Sequence, residues 1–317
     1  GNHPGSSPFD NIMPWAGMTV ETINDNVLVK IPKFWYKITT GAGNAISFQI
    51  ANYPAEGFNV SPAHQDRGDG VGERDFVYVG RYHCASDYKS KTGVTPIASI
   101  TRATARTQIQ NLGTGYYLND YALFWTIRML YLVEFADWNS QKVIGYGRGN
   151  GSYASTMGYT DSMPYHTGTT ASNRTTYGAN TQYRYIEGLW DNVLDWCDGI
   201  RFSSSTVYVY TNPSTYSDSS GGMIVGTRET SSNEIKSFFT PSVSTLDWAM
   251  YPNSVYSDTN YSTYVADYCD YNSSGVVLCV GGYWGQSQSC GMFCLYGGNS
   301  ASSTSSNIGA RLMYLPS

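Results

Sequence analysis

The sequence predicts an α+β fold, with two helices and a mixed, mostly antiparallel sheet. Two segments of the first half have the apolar spacing of helices, strand-like segments lie near both ends, and long stretches rich in Gly, Ser, Thr, Asn and Tyr separate them. Elements in this arrangement pack as one α+β unit. We therefore expect a single domain over 1–317, with long ordered loops and an N-terminal extension at 1–25.

The composition limits the class of protein. Of the 317 residues 41% are hydrophobic and 14% charged, which is too apolar for a disordered chain and too weakly charged for a typical cytosolic helical enzyme. The net charge is −5 without a run of Lys or Arg, so we expect no nucleic-acid partner. No apolar stretch has the roughly 18 residues of a membrane span, and we expect no membrane insertion. Because the chain begins GNHPGSS without Met, we expect a fragment of a longer protein.

Strands are predicted in both halves of the chain. The candidates alternate polar and apolar residues or are rich in β-branched and aromatic ones: 26–38, 47–51, 76–84, 206–212, 276–284 and 308–315. Pro32 marks an edge or a bulge in the first of them. We expect this first strand to pair with the last one, which would place the N- and C-termini close together.

Two helices are predicted between these strands. The first covers 99–113, and Gly113 is a natural residue just past a helix end. The second and stronger helix covers 118–138, with Asn119 or Asp120 as its N-cap. Its apolar residues at 3–4 spacing indicate core packing rather than a cofactor site: Ala122, Trp125, Met129, Leu132 and Val133.

No motif specifies a metal or a cofactor, and we predict neither. GYGRGNG at 145–151 lacks the spacing and the strand–turn–helix setting of a phosphate-binding loop, so we interpret it as a turn-rich loop. The carboxylates of 64–75 suit a solvated acidic loop, with a calcium site as the alternative. The four histidines are far apart in sequence, which leaves open a zinc or iron site assembled at long range.

The six cysteines have no zinc-ligand spacing, and we expect free or buried thiols. One or two disulfides are the alternative if the protein is extracellular. In an extended strand Cys290 and Cys294 would lie roughly 13 Å apart, whereas a disulfide needs Cα atoms within about 7 Å. They could pair only at a sharp turn, and we predict no catalytic residue.

The stretch 283–306 has the composition of an adaptable binding surface. It sets Tyr283, Trp284, Phe293 and Tyr296 among Ser, Gly, Gln and Asn, between two predicted strands. Tyrosine and tryptophan offer large contact areas with few rotatable bonds, and small polar residues adapt their hydrogen bonds, as in antibody loops. The alternative interpretation is a Ser/Gly-rich loop of low complexity.

The motifs around this stretch resemble those of variable proteins from diversity-generating retroelements, which have a C-type lectin-type fold related to formylglycine-generating enzymes. VLCVGGYW (277–284) and NIGARLMY (307–314) are similar to the GG-aromatic and IG-x-R strands that frame a variable region. GLWDNVLDWCDGI (188–200) resembles the family's Trp-rich segment, with Leu194 and Asp195 where Trp and Glu are usual. Weaker matches to phage tail and prophage proteins are IPKFWYK (31–37), YLVEFADWNSQKVIGYG (131–147) and SPFDNIMPWAGM (7–18).

The resemblance implies a variable region at 281–311. Mutagenic reverse transcription alters adenines, often in AAY codons for Asn, which can become codons for Ser, Gly, Tyr, Cys, Asp or Phe. Trp284 cannot arise in this way, and it is expected to be an anchor together with Tyr283 and Tyr296. The predicted ligand-binding or variable positions are Tyr283, Trp284, Gly285, Ser287, Ser289, Phe293, Cys294, Tyr296, Gly298, Ser303 and Ser305.

The function implied by this resemblance is receptor binding without enzyme activity. The expected partner is a protein or glycan of a host-cell surface, and the expected location is a phage tail tip, with a bacterial cell surface as the alternative. A homo-oligomer, such as a trimer, would fit a tail protein. Two other functions stay open, a formylglycine-generating-type oxidase that uses Cys290 and Cys294, and a calcium-dependent carbohydrate-binding lectin.

Overall fold

The computed structural model describes residues 5–259, 263–289 and 291–317. The helices are α1 (Arg102–Gln110), α2 (Tyr121–Phe135) and the short α3 (Ser140–Val143). The strands are β1 (Thr19–Ile23), β2 (Asn26–Pro32), β3 (Trp35–Thr40), β4 (Ile46–Ala51), β5 (Asn59–Val60), β6 (Phe76–Gly80), β7 (Tyr116–Leu118), β8 (Gly168–Thr169), β9 (Thr181–Tyr183), β10 (Ile186–Glu187), β11 (Leu194–Cys197), β12 (Ile200–Ser203), β13 (Thr206–Val209), β14 (Met223–Thr227), β15 (Asn233–Phe239), β16 (Tyr251–Val255), β17 (Tyr268–Asp270), β18 (Val277–Val280), β19 (Leu295–Asn299), β20 (Ile308–Gly309) and β21 (Leu312–Tyr314).

The predicted α+β class is confirmed, with two principal helices, mostly antiparallel sheets and long ordered loops. Strands from both ends of the chain meet in a five-stranded sheet of order β1-β2-β6-β21-β7, in which every pair is antiparallel. The direct pairing predicted for the first and last strands is wrong, because β6 lies between β2 and β21. The predicted strand 26–38 is also divided, since β2 ends at Pro32, which has no N–H to continue the ladder, and β3 begins at Trp35.

A seven-stranded sheet carries the predicted variable region. Its order is β16-β15-β17-β19-β18-β11-β20, and the pairs β17–β19 and β11–β20 are parallel within an otherwise antiparallel arrangement. The strands β19 and β20 both come from the variable region, and β18 precedes it directly. The main chain on each side of the variable loops is therefore fixed by hydrogen bonds to neighbouring strands.

Helix α2 is buried on all sides. Asp120 is its N-cap, as expected, and accepts a hydrogen bond from the Leu123 N–H at 2.8 Å. Every side chain from Tyr121 to Leu132 is buried, including Arg128, so the predicted apolar stripe covers only part of the packed surface. No helix in the described ranges has the length and apolar character needed to cross a membrane.

Two hydrophobic clusters lie on opposite faces of the sheets. The α2 cluster contains helix α2 and runs from Trp15 to Leu315, so it takes residues from almost the whole chain. The α1 cluster contains Ala105 and Ile109 of helix α1, which pack against Trp196 of β11. Trp15 belongs to the α2 cluster and β1 to the five-stranded sheet, so these parts of the predicted extension 1–25 pack against the body.

The cysteines that the structure describes are free, buried thiols, as expected. They are Cys84, Cys197, Cys269, Cys279 and Cys294. Cys290 lies outside the described residues, so the pairing considered for Cys290 and Cys294 has no structural description.

Candidate ligand surface

The segment predicted to be variable, 281–311, is here called the variable segment, and it ends on a buried arginine that joins distant parts of the chain. Arg311 of the IG-x-R motif is fully buried, and its Nε donates to Asp195 Oδ2 at 2.9 Å. Its remaining N–H groups donate to backbone carbonyls of Gly80 and Glu187. Burial alone would raise the pKa of Asp195, but His83 and Arg311 beside it hold that pKa below the ordinary value. The arginine of the exit strand is thus structural and is unavailable to a ligand.

The first loop of the variable segment, 281–289, lies on the protein body through its backbone. Gly281 has φ +78° and approaches the Leu189 carbonyl so closely that a Cβ would lie 2.4 Å from that oxygen. The Trp284 N–H donates to the Asn192 carbonyl at 3.0 Å. These contacts leave Gly285 and Ser287 exposed, and they leave three further predicted positions partly exposed, namely Tyr283, Trp284 and Ser289.

The next part of the segment turns into the core, which corrects two predicted site residues. Phe293 is 1% exposed and Cys294 0%, so neither can contact a ligand in this structure. The chain turns inward because buried side-chain oxygens accept hydrogen bonds from its backbone. The Phe293 N–H donates to Asp267 Oδ2 at 2.7 Å, and the Met292 N–H donates to Ser140 Oγ at 2.9 Å. The Phe293 ring then packs 4.8 Å from the ring of Trp138.

Strand β19 returns the segment to the surface. Tyr296 is partly exposed, and its ring lies 5.9 Å from that of Tyr268 on the neighbouring strand. Gly298 is also partly exposed, but a Cβ there would lie 2.2 Å from Asp270 Oδ2. A larger residue at Gly298 therefore requires Asp270 to move. At Gly285, by contrast, the nearest atom to a Cβ is the edge of the Tyr283 ring at 3.1 Å.

The last loop, 300–306, holds the two remaining predicted positions. Ser303 and Ser305 are partly exposed. The Ser303 hydroxyl accepts a hydrogen bond from the Ser300 N–H at 3.0 Å, and the Ser305 carbonyl accepts one from the Ser99 N–H, also at 3.0 Å. Backbone and local hydrogen bonds shape this loop, so little of its conformation depends on long-range contacts of its side chains.

Two partly exposed aromatic residues of the segment pack against the same hydrophobic cluster. Tyr283 and Tyr296 both pack against the α1 cluster, on the side opposite to Phe293 in the α2 cluster. Trp284 meets Tyr283 edge to face at 5.6 Å. The indole Nε1 of Trp284 is buried without an acceptor among the described residues, a state that costs about 1–3 kcal/mol. An acceptor supplied from outside the chain would relieve that cost.

The glycine-rich loop, 145–153, lies next to the variable segment. From the sequence, 145–151 was predicted only to be a turn-rich loop. The Ser287 N–H donates to the Gly149 carbonyl at 2.5 Å, and the Gly151 N–H donates to the Trp284 carbonyl at 2.5 Å. A Cβ at Gly149 would lie 3.1 Å from the Ser287 carbonyl oxygen, so the close approach favours glycine there. The high density of glycines could have indicated this contact in the sequence, since glycine permits close approach of two backbones.

The groups considered for metal binding have other partners. In the acidic loop Asp69 pairs with Arg74 at 2.6 Å and Asp75 with Lys33 at 2.8 Å. His64 is buried with its Nε2 2.9 Å from the Ile31 carbonyl oxygen, and desolvation lowers its pKa to about 4. Within the described ranges no group of three or more His, Cys, Asp or Glu side chains is arranged to hold a metal ion.

The solved structures that are similar to this chain include two named proteins. One is named Major Tropism Determinant U1 Variant and is 13% identical to the chain, with a TM-score of 0.34; the match covers 91% of this chain and 62% of that one. The other is named Major Tropism Determinant I1 Variant and is 11% identical, with a TM-score of 0.33, covering 93% of this chain and 78% of that one. No protein-family model and no curated protein sequence matches the chain. The chain thus spans less than two thirds of the length of the U1 variant.

Proposed function

We propose that the chain is a receptor-binding protein whose surface at 283–305 contacts a protein or glycan on a host cell. The observation that carries the proposal is the division of the variable segment. Its small polar and tyrosine side chains are exposed or partly exposed, while Phe293 and Cys294 anchor the same stretch in the core. Such a division allows surface residues to change while the anchor holds their backbone in place.

We further propose that the segment is diversified by a retroelement on a C-type lectin-type scaffold. Seven of the positions expected to derive from Asn codons are exposed or partly exposed: Gly285, Ser287, Ser289, Tyr296, Gly298, Ser303 and Ser305. Phe293 and Cys294 leave the set because both are buried. Sequencing the neighbouring DNA tests this part, since a near-copy of the 281–311 coding segment that differs at adenines should lie beside a reverse transcriptase gene.

The location that fits this function is a phage tail tip, with a bacterial cell surface as the second candidate. Either would expose the surface to a host-cell protein or glycan, and a trimer would present three copies to one cell. Multiple copies raise avidity without new contacts within each site. Light scattering of the purified chain measures the oligomer, and immunogold labelling of virions measures the location.

The rival function is the formylglycine-generating-type oxidase, in which the cysteines would bind copper as accessible thiolates. Burial raises the pKa of the Cys294 thiol well above its ordinary value, which opposes formation of a thiolate at neutral pH. Copper titration of the wild type and of Cys294→Ser separates the two functions. Equal copper binding by both proteins fits receptor binding, and stoichiometric binding that the substitution abolishes would favour the oxidase.

A display library tests the binding function directly. Gly285, Ser287, Ser289, Ser303 and Ser305 are varied together, and the library is selected against several unrelated purified proteins. A control library varies Thr39 and Thr40, which are exposed on the hairpin of β3 and β4. We expect binders from the first library and none from the control. Equal recovery from both, or from neither, would contradict a dedicated binding surface.

A further inference from the structure

Two arginines beside the variable segment have no carboxylate partner. Arg174 is exposed and Arg148 partly exposed, and in the described part of the chain neither guanidinium has a carboxylate oxygen within 4.0 Å. Arginines elsewhere in this chain either pair with carboxylates, as Arg67 does with Asp120 at 2.5 Å, or are buried with carbonyl oxygens as acceptors, as Arg128 and Arg228 are. In a protein of net charge −5, two unpaired surface arginines make a local site of opposite sign.

Backbone contacts bring these arginines to the candidate surface. The glycine-rich loop contains Arg148 and is bonded to the variable segment through Gly149 and Gly151. The loop that contains Arg174 adjoins it in turn, because the Tyr146 N–H donates to the Arg174 carbonyl at 2.9 Å. The three loops 146–153, 172–178 and 283–289 are therefore neighbours, and we call them the three-loop surface.

Aromatic side chains accompany the two cations. Tyr153 is 70% exposed, and the guanidinium of Arg148 lies 5.5 Å from the centre of its ring. The rings of Tyr146 and Tyr177 lie 4.8 Å apart, and the backbone of Tyr146 is bonded to that of Arg174. Tyrosine and arginine are enriched together in protein–protein contact surfaces. Trp284, with its unsatisfied Nε1, adjoins the same loops.

We propose that the three-loop surface docks an acidic protein epitope, one in which carboxylates flank an apolar or aromatic group. This inference rests on the proposed receptor-binding function and names the chemistry of its partner. Charge complementarity supplies the carboxylates opposite Arg148 and Arg174. Tyrosine, tryptophan and arginine are the side chains that dominate the energy of protein–protein contacts, which favours a protein over a glycan. The loops 146–153 and 172–178 would then provide affinity for acidic surfaces, and the variable segment would determine which acidic surface is bound.

A random copolymer of glutamate and tyrosine is a suitable probe, compared with poly-L-glutamate and with hyaluronate, an acidic polysaccharide. Binding to the immobilised chain is measured by biolayer interferometry at several salt concentrations. We expect the copolymer to bind most tightly, with an affinity that falls as salt rises. The double variant Arg148→Gln/Arg174→Gln should bind it about tenfold or more weakly, whereas Arg148→Lys with Arg174→Lys should retain most of the affinity.

A control variant removes the same charge elsewhere. Lys37→Gln/Lys236→Gln changes two exposed lysines that have no carboxylate partner within the described ranges and do not belong to the three-loop surface, and it should bind like the wild type. Equal losses in both double variants would overturn the inference, as would tighter binding to hyaluronate. If the chain forms a dimer and only the Arg148→Gln/Arg174→Gln variant is monomeric, the surface instead binds a second copy of the chain, which would also overturn the inference. If the five-position library yields binders while the arginine variant binds normally, this inference fails and the proposed function stands.

Discussion

At the scale of single residues, the variable segment combines opposite environments within a few positions. Phe293 is buried among aromatic rings of the α2 cluster, with Tyr131 at 5.9 Å and Trp138 at 4.8 Å between ring centres. Ser287, in the same segment, is exposed and has φ +58°. The first residue therefore contributes to the stability of the fold, and the second is available for contact with a partner.

Substitutions at these two residues should separate stability from binding. Phe293→Ala removes a buried ring and should lower the free energy of unfolding by about 3–5 kcal/mol. Ser287→Ala changes an exposed side chain and should stay within about 0.5 kcal/mol. Urea denaturation followed by tryptophan fluorescence measures both. Similar losses in the two variants would mean that the surface position is also part of the core.

The carboxyl of Asp267 predicts a pH dependence of stability. Burial raises its pKa from 3.8 to about 7, so between these values the folded chain holds a proton that the unfolded chain has released. Its contribution to stability is therefore complete below pH 3.8 and is lost as the pH rises to about 7. Asp267→Asn keeps an oxygen acceptor for the Phe293 N–H and removes the titration.

We expect Asp267→Asn to gain stability relative to the wild type as the pH rises between these two values. The comparison of variant and wild type at each pH cancels the contribution of His64, whose lowered pKa acts in the opposite direction. Burial also raises the pKa of Asp191 to about 7, but Asp191 contributes equally to the pH dependence of both proteins and therefore cancels as well. A stability difference that is constant with pH would show that Asp267 is ionised throughout.

At the scale of elements, local sequence signals located the two main helices and missed how one of them packs. The predicted 99–113 and 118–138 contain Arg102–Gln110 and Tyr121–Phe135 and exceed them at both ends. The N-caps Thr101 and Asp120 lie inside the predicted ranges, and α2 ends at its C-cap Ala136, which is left-handed. Helix α2 is buried on all sides, and periodicity describes only one apolar face. The inward turn at Phe293 was equally invisible, since its partners Asp267 and Ser140 are distant in sequence.

One of the two backbone hydrogen bonds described between the glycine-rich loop and the variable segment can be removed by deleting a single N–H group. Gly151→Pro deletes the N–H that donates to the Trp284 carbonyl, and we expect faster amide hydrogen exchange in 284–287 with little change in melting temperature. Gly151→Ala is the matched control, because it keeps the N–H and its Cβ would meet no atom closer than 3.5 Å. Unchanged exchange in the proline variant would mean that this loop does not hold the variable segment.

At the scale of the whole molecule, the sequence indicated the fold class and the positions of some strands, but it missed other strands, such as β15 and β16, and the order of the strands. The strands near both ends do share a sheet, yet β6 separates β2 from β21. Strand order depends on non-local packing, which period-2 patterns do not encode. Most residues of the candidate surface were predicted from composition and from the resemblance to a family. Arg148 and Arg174 were not predicted, because a single charged residue in a loop has no characteristic sequence spacing.

The central claim is that a packed body carries exchangeable surface residues, and one variant tests it most directly. Gly285, Ser287, Ser289, Ser303 and Ser305 are all replaced by Asn, the residue that AAY codons specify. Because each exposed change costs within about 0.5 kcal/mol, we expect a cooperative thermal transition within roughly 5–10 °C of the wild type. A much larger fall, or the loss of a single cooperative transition, would contradict the claim, because these positions would then be part of what holds the molecule together.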